Sequence, residues 1–326
     1  MADPSNWSFP ERLQPKQADL RFNLQAAFDA AVQVRAEIPE DAFTASILGT
    51  DRVGNGIVIR EDGLVLTIGY LITEATSIWL TTNDRRVVPA HPLAYDQVTG
   101  FGLVLPLAPL GTPMVRRGSL ATAEPGDEVV VVGHGGRVHS MRARIVAKHE
   151  FAGYWEYVLN EALFVAPPHP QWGGSALLDE DGLLLGIGSL LVQDRDSLGG
   201  EAQQGNMFVP VDLLAPILDE MLKLGRAAAP PRPWLGMYTA DEKGHLEVVG
   251  LASGGPADRA GVQLGDLVLD VAGARVAGLA DLWRKVWGLG PVGIEIPLSL
   301  ARNGAVKQVR VRSADRNDFL KKPRVH

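Results

Sequence analysis

Apolar residues in this chain follow two rhythms. Leu20, Leu24, Phe28, Ala31 and Val32 recur at helical spacing, which predicts an amphipathic helix over residues 17–37. From Ala42 the rhythm shortens. FTASILGT, GNGIVIRE, LVLTIGYL, SIWLTT, GLVLPL, EVVVVGHG and ARIVAKHE are short β-rich runs parted by turn residues such as Arg60-Glu61-Asp62-Gly63. Many short strands without intervening helices predict a barrel or a sandwich. Within Pro167–Ser189, strands are expected at Ser175–Leu178 and Leu183–Ile187, joined by the polar turn Asp179–Gly182. Helical spacing returns over Leu213–Leu224, with Leu214, Ile217, Leu218, Met221 and Leu222 on one face. Lys223 and Arg226 suit the negative end of that helix, and Gly225 suits its stop. The run AAAPPRP at 227–233 is a stiff linker.

These patterns divide the chain into an N-terminal arm and helix (1–41), a β-rich domain (42–226), the linker (227–233), a second domain (234–315) and a C-terminal tail (316–326). Residues 1–16 read as an extended arm that docks through Trp7 and Phe9. A length of 326 residues fits about two domains. The net charge of -7 argues against non-specific nucleic-acid binding. The chain has no cysteine, which excludes disulfides, cysteine nucleophiles and Cys-ligated metals. No run of 18 apolar residues is present, so no membrane-spanning helix is expected. The first residues, MADPSNWSFPERLQPKQ, show no basic segment followed by an apolar run. The expectation is a cytoplasmic chain, or a periplasmic one if a leader has been removed. His134, His139, His149 and His169 lack the spacing of a metal-binding helix and read as solvated turn residues. No metal or other cofactor is expected.

The segment PPHPQWGGSALLDEDGLLLGIGS (167–189) resembles the active-site segment of trypsin-like serine proteases of the HtrA/Deg family, where the pattern is G-x-S-G-G-P-L followed by a D-G turn. Aligned without gaps, Gly173 falls where the family has its nucleophilic serine; a one-residue slip puts Trp172 there. Gln171 replaces the glycine whose N–H helps form the oxyanion hole. GNGIVIREDGLVLT (54–67) resembles the family's G-S-G-V-I-I-x-x-D-G-x-I-L-T, and Tyr70 then falls at the histidine that serves as general base. YDQVTGFGLVL (95–105) resembles D-x-x-T-D-L-A-V-L, with Gly100 at the aspartate that orients it. Pro125–Gly133 and Met207–Asp212 match further scaffold segments.

Nucleophilic catalysis of this kind needs a nucleophile, a base within hydrogen-bond reach and an orienting group. All three are absent at the positions the resemblance assigns. Ser175 is the nearest outside candidate, but two residues along a strand displace a side chain by about 6–7 Å.

Residues 234–315 resemble a bacterial PDZ domain. Trp234-Leu235-Gly236-Met237 looks like the x-L-G-φ carboxylate-binding loop, and GPADRAGVQLGD (255–266) resembles S-P-A-x-x-A-G-L-x-x-G-D. Such a domain adds an extended peptide to an edge strand while loop N–H groups hold its terminal carboxylate. Leu235, Gly236, Met237 and Tyr238 are therefore the candidate peptide-binding residues, with Met237–Thr239 as the edge strand. Leu279–Trp287 reads as the groove helix. Trp283 and Trp287 share a face that either packs on the core or lines the groove. Asn303-Gly304 predicts a tight hairpin turn.

The resemblance implies a mainly β chain: a trypsin-like double β-barrel of two six-stranded barrels, then a PDZ domain, plus the N-terminal helix. It implies an inactive HtrA-like pseudoprotease that binds a protein or protein C-terminal tail as scaffold, adaptor or accessory subunit. The alternatives are a divergent serine hydrolase using Ser175 with a non-His base, and a structural subunit of a homo- or hetero-oligomer, a trimer by resemblance. The charged loop at 194–205 (DRDSLGGEAQQG) reads as a surface loop or a partner contact.

Overall fold

Asn23 caps the first helix by accepting from the Ala26 N–H, and α1 runs Leu24–Ala30. It stops there. The chain continues as strand β1 (Ala31–Glu37), with Val32, Val34 and Ala36 fully buried on one face. The helix expected over residues 17–37 is thus only its middle portion. Residues 31–37 alternate with period two, and barrel pairing on both edges outweighs their weak helical rhythm. The segment expected as arm and helix therefore supplies a barrel strand.

In the computed structural model, residues 7–194, 196–200, 203–242 and 244–321 are described. The ends of the expected arm (1–6) and tail (322–326), and residues 195, 201 and 202 of the 194–205 loop, lie outside them. The chain divides into two units: Met1–His149 with Glu161–Ala228 and Lys321–His326, and Glu150–Asn160 with Ala229–Leu320.

In the first unit, β1 is followed by the short helix α2 (Ala45–Leu48) and strands β2 (Asp51–Val58), β3 (Val65–Ile68), β4 (Ser77–Thr81), β5 (Val87–Tyr95) and β6 (Phe101–Pro106). They close in the order β1-β2-β3-β6-β5-β4. A second closed barrel, β10-β11-β12-β9-β8-β7, is made by β7 (Glu128–Val132), β8 (Met141–Gly153), β9 (Tyr157–Ala166), β10 (Ala176–Leu178), β11 (Leu184–Val192) and β12 (Gly205–Pro210). Closure leaves no free edges. Val131, Ile145, Leu163, Leu177 and Phe208 fill the second barrel. Phe9 joins this core, and Trp7 stacks on His139 at 4.6 Å. Of the helix expected over Leu213–Leu224, α3 proper spans Leu218–Leu224, and Gly225 (φ 72°) ends it with its N–H on the Met221 carbonyl.

The second unit contains β13 (Met237–Glu242), β14 (His245–Leu251), α4 (Pro256–Arg259), β15 (Leu267–Val271), β16 (Ala274–Arg275), α5 (Leu279–Gly288), β17 (Glu295–Arg302) and β18 (Ala305–Arg312). Its sheet runs β13-β14-β15-β17-β18, with β16 on β15. Leu235, Met237, Val248, Leu282, Trp283, Val286 and Leu298 form its core, and Val158 from the start of β9 belongs to it. Asn303 (φ 51°) and Gly304 (φ 76°) make the left-handed pair that the Asn-Gly dipeptide favours.

Candidate functional site

Two places in the fold gather the residues singled out by sequence. The first is a cleft of about 430 Å³ in the first unit, lined by Tyr70, Trp172, Gly173, His134, Asn55 and Arg52 among others. The strand β3 ends in a 3-10 turn, Gly69–Leu71, which carries Tyr70. Its hydroxyl donates to the Ser189 carbonyl at 3.0 Å, and burial holds the phenol above its ordinary range. Gly173 stands directly beside it. A Cβ at Gly173 would lie 2.8 Å from the Tyr70 oxygen, closer than van der Waals contact. The phenol therefore fills the space a side chain at 173 would use.

That contact yields a measurable coupling. Gly173→Ala should cost about 1–2 kcal/mol in the native background, as small overpacking does. Beside Tyr70→Phe it should cost almost nothing, because the nearest remaining ring atom is then 3.7 Å away. Urea unfolding of the four proteins gives the coupling directly; additive effects would mean that the two residues do not share this space.

Gly100 touches the same turn from the other side, accepting the Gly69 N–H at 2.7 Å with φ at 82°. A side chain there is strained whatever it is. Asp96 is the nearby carboxylate, but it is buried and accepts from the N–H and hydroxyl of Thr99. Ser175 is fully buried, and its hydroxyl donates to the Trp172 carbonyl at 2.8 Å. The fold thus brings Tyr70 and Gly173 together and turns Ser175 inward.

His169 corrects the reading of solvated turn histidines. It is fully buried. Its Nδ1 accepts the Gln171 N–H at 3.0 Å and its Nε2 donates to the His139 carbonyl at 2.8 Å. Burial lowers its pKa to about 4, so the ring is neutral and the tautomer is set by these two bonds. The Gln171 N–H, at the position of an oxyanion-hole donor in the resemblance, is therefore already spent on a side chain.

Two cleft residues carried no sequence signal. Asn55 is buried and ties two segments together through three bonds: Nδ2 donates to the Gln171 and Gly173 carbonyls at 2.8 and 3.3 Å, and Oδ1 accepts the His134 N–H at 2.8 Å. Arg52 lies behind the Tyr70 turn and donates to the Tyr70 carbonyl at 2.7 Å. The partners that place both in the cleft, Tyr70 for Arg52 and residues 134, 171 and 173 for Asn55, are remote in sequence, where periodicity is silent.

The second place is the loop before β13. Gly236 has φ at 69°, a conformation glycine adopts without strain. This turns three consecutive N–H groups, those of Leu235, Gly236 and Met237, towards one point. A carboxylate occupies it: Glu156, whose Oε1 accepts from Leu235 at 3.1 Å, Gly236 at 2.7 Å and Met237 at 3.1 Å. Burial pushes the Glu156 carboxyl up to about 7, against the pull of the three N–H groups and Arg316. Tyr238 stands at the start of β13 with its ring against Gly250, and meets the edge of Tyr154 at 6.1 Å. Trp283 is fully buried in the core and its indole N–H donates to the Gly153 carbonyl at 3.3 Å. Trp287 is only partly buried, under the guanidinium of Arg232.

Residues 54–187 match the model of the trypsin-like peptidase domain, and residues 233–312 match that of the PDZ domain. The class of protein is therefore a trypsin-fold domain followed by a PDZ domain, mainly β. More particularly, the chain is HtrA/DegP-like. It is 27% identical over 273 residues to a probable periplasmic serine endoprotease DegP-like of Ectopseudomonas mendocina, covering 79% of this chain and 56% of that one. It is 24% identical over 331 residues to the chloroplastic Protease Do-like 1 of Arabidopsis thaliana, covering 93% of this chain and 73% of that one. The crystal structure of the serine endoprotease from Yersinia pestis shares the fold with a TM-score of 0.51 at 21% identity, covering 90% of this chain and 96% of that one. The chain spans just over half the length of the DegP-like bacterial relatives (56% and 55%). Their names correct the expectation of a cytoplasmic chain: they are periplasmic, and point there rather than to the cytoplasm.

Proposed function

We propose that this chain is a catalytically inactive HtrA-like pseudoprotease that binds proteins, serving as scaffold, adaptor or accessory subunit. The observation that carries the reading is the pairing of Tyr70 with Gly173, in which a phenol hydrogen-bonded to the Ser189 carbonyl fills the place of a nucleophile's side chain. Three further features support it. Gly100 offers no group to orient a base. The Gln171 N–H is held by His169. The Ser175 hydroxyl is buried on a carbonyl, with no base hydrogen-bonded to it among the described residues. An activated serine requires the opposite: an exposed oxygen in contact with a base.

Binding then falls to the PDZ domain, whose Leu235–Met237 loop and β13 edge have the chemistry to hold a peptide with a carboxylate, and to the inert cleft. Assembly with further copies or another subunit belongs to the same reading. The endoprotease activity named in the relatives is theirs. The test is hydrolysis of unfolded casein, together with labelling by a fluorophosphonate probe, for the native chain and Ser175→Ala. The expected result is no labelling and equal background hydrolysis. Hydrolysis and labelling that vanish in Ser175→Ala would replace this reading with the alternative of a divergent serine hydrolase.

A further inference from the structure

The carboxylate-binding loop of the second unit is already in use. Tyr154, Trp155 and Glu156 form the turn between β8 and β9, and this turn belongs to the same unit as the loop. The side chain of Glu156 reaches the three N–H groups of Leu235, Gly236 and Met237, the donors that would meet a peptide's terminal carboxylate. Two residues earlier, the Tyr154 carbonyl accepts the Thr239 N–H at 2.9 Å, two residues beyond Met237 on β13. The matching offset of two on both segments is that of a strand added to an edge.

Other contacts hold the turn in this register. The Trp283 indole binds the Gly153 carbonyl, Arg284 binds the Asn160 side chain at 2.8 Å and pairs with Glu150, and the Tyr154 ring meets Tyr238. Glu156 itself has φ at 62°, a left-handed conformation that a non-glycine residue keeps only when its surroundings fix it.

We infer that Glu156 is an internal ligand of the PDZ groove, standing in for a C-terminal carboxylate, so that the groove is self-occupied until an incoming carboxylate-bearing peptide displaces the 154–156 turn. The inference rests on the reading of this domain as a peptide-binding module. Because the occupant is tethered, it competes at an effective concentration on the order of millimolar. A free peptide sees only the undocked fraction, and its apparent affinity falls by that fraction.

The experiment compares the full chain with Glu156→Ala and Glu156→Gln. Hydrogen exchange is read at the amides of Leu235, Gly236, Met237 and Thr239, which needs no added ligand. The expected result is exchange at least about tenfold faster in Glu156→Ala, as loss of a docked turn exposes these donors. Glu156→Gln, which keeps the side chain's size and one acceptor oxygen, should fall between and serves as the folded control. Unchanged protection in both variants would overturn the inference. A fluorescein-labelled pentapeptide ending in valine with a free carboxylate, and its C-terminal amide, are then titrated. The acid form should bind Glu156→Ala about tenfold more tightly than the native chain, the gain expected if nine-tenths of the grooves are self-occupied. Loss of protection without peptide binding by any of the three proteins would leave the internal ligand standing and remove the peptide-binding reading of the domain.

Discussion

Arg52→Leu should destabilise the first unit by about 3–5 kcal/mol, the cost of breaking a buried ionic network by removing one partner. Arg52 is buried, and its guanidinium donates to the carbonyls of Gly49, Tyr70 and Thr73 at 3.1, 2.7 and 3.1 Å and to the Thr44 hydroxyl at 2.8 Å. Glu74, also buried, accepts from the N–H groups of Phe43 and Thr44 at 3.0 and 2.7 Å and from the Thr44 hydroxyl at 2.6 Å. Burial lowers the Arg52 pKa to about 10, with Glu74 opposing, so it stays charged at neutral pH. Leucine would fill part of the volume and leave three carbonyls without donors and the Glu74 carboxylate without its cation. Urea unfolding measures the loss. Arg52→Lys should recover only part of it, because a single ammonium cannot span four acceptors held by a planar fork. A cost below about 1 kcal/mol for the leucine variant would mean that water takes over these bonds, and that the Tyr70 turn is held by its other contacts.

Trp283→Ala should cost the second unit about 3–5 kcal/mol, the range for removing a large buried aromatic side chain. Trp283 lies on α5, fully buried among Leu282, Val286 and the sheet residues, and it also supplies the donor for the Gly153 carbonyl. Two effects are therefore superposed: a cavity in the core and a loosened β8–β9 turn. Trp283→Phe separates them. It keeps most of the apolar volume and loses the indole N–H, so its smaller cost, about 1–2 kcal/mol, reports the hydrogen bond with a minor packing change. If the two variants were equally mild, the indole would not be the centre of this core. Chemical unfolding followed at the second unit's transition decides the matter.

The two tryptophans of α5 mark where sequence reasoning stops. Their spacing puts Trp283 and Trp287 on one side of the helix, and periodicity alone leaves core and groove open. Tertiary packing divides them: Trp283 is fully buried, while Trp287 is only partly covered. A four-residue step rotates a helix by slightly more than one turn, and at the margin of a buried face that rotation separates enclosed from exposed. The N-terminal segment shows the same limit. Leu24 and Phe28 obey a helical period and form α1, whereas Val32, Val34 and Ala36 face the inside of a barrel, a fact that depends on β2 and β4 rather than on their neighbours in sequence.

Sequence alone determined the parts that are local or that follow a shared pattern. These are the runs that make the strands, the glycines at left-handed turns such as Gly63, Gly182 and Gly304, the order of a trypsin-fold domain and a PDZ domain, and the residue types at Tyr70, Gly100 and Gly173. Only the tertiary structure decided which of these meet. It set the Tyr70 hydroxyl against Gly173, turned Ser175 onto a carbonyl, buried His169, and brought Glu156 to amides 79–81 positions further along the chain. The physical reason is the range of the interactions. Turn conformations and strand periods are fixed by a residue and its near neighbours, whereas a carboxylate and the N–H groups that satisfy it are matched by the closing of the fold, which no local spacing encodes.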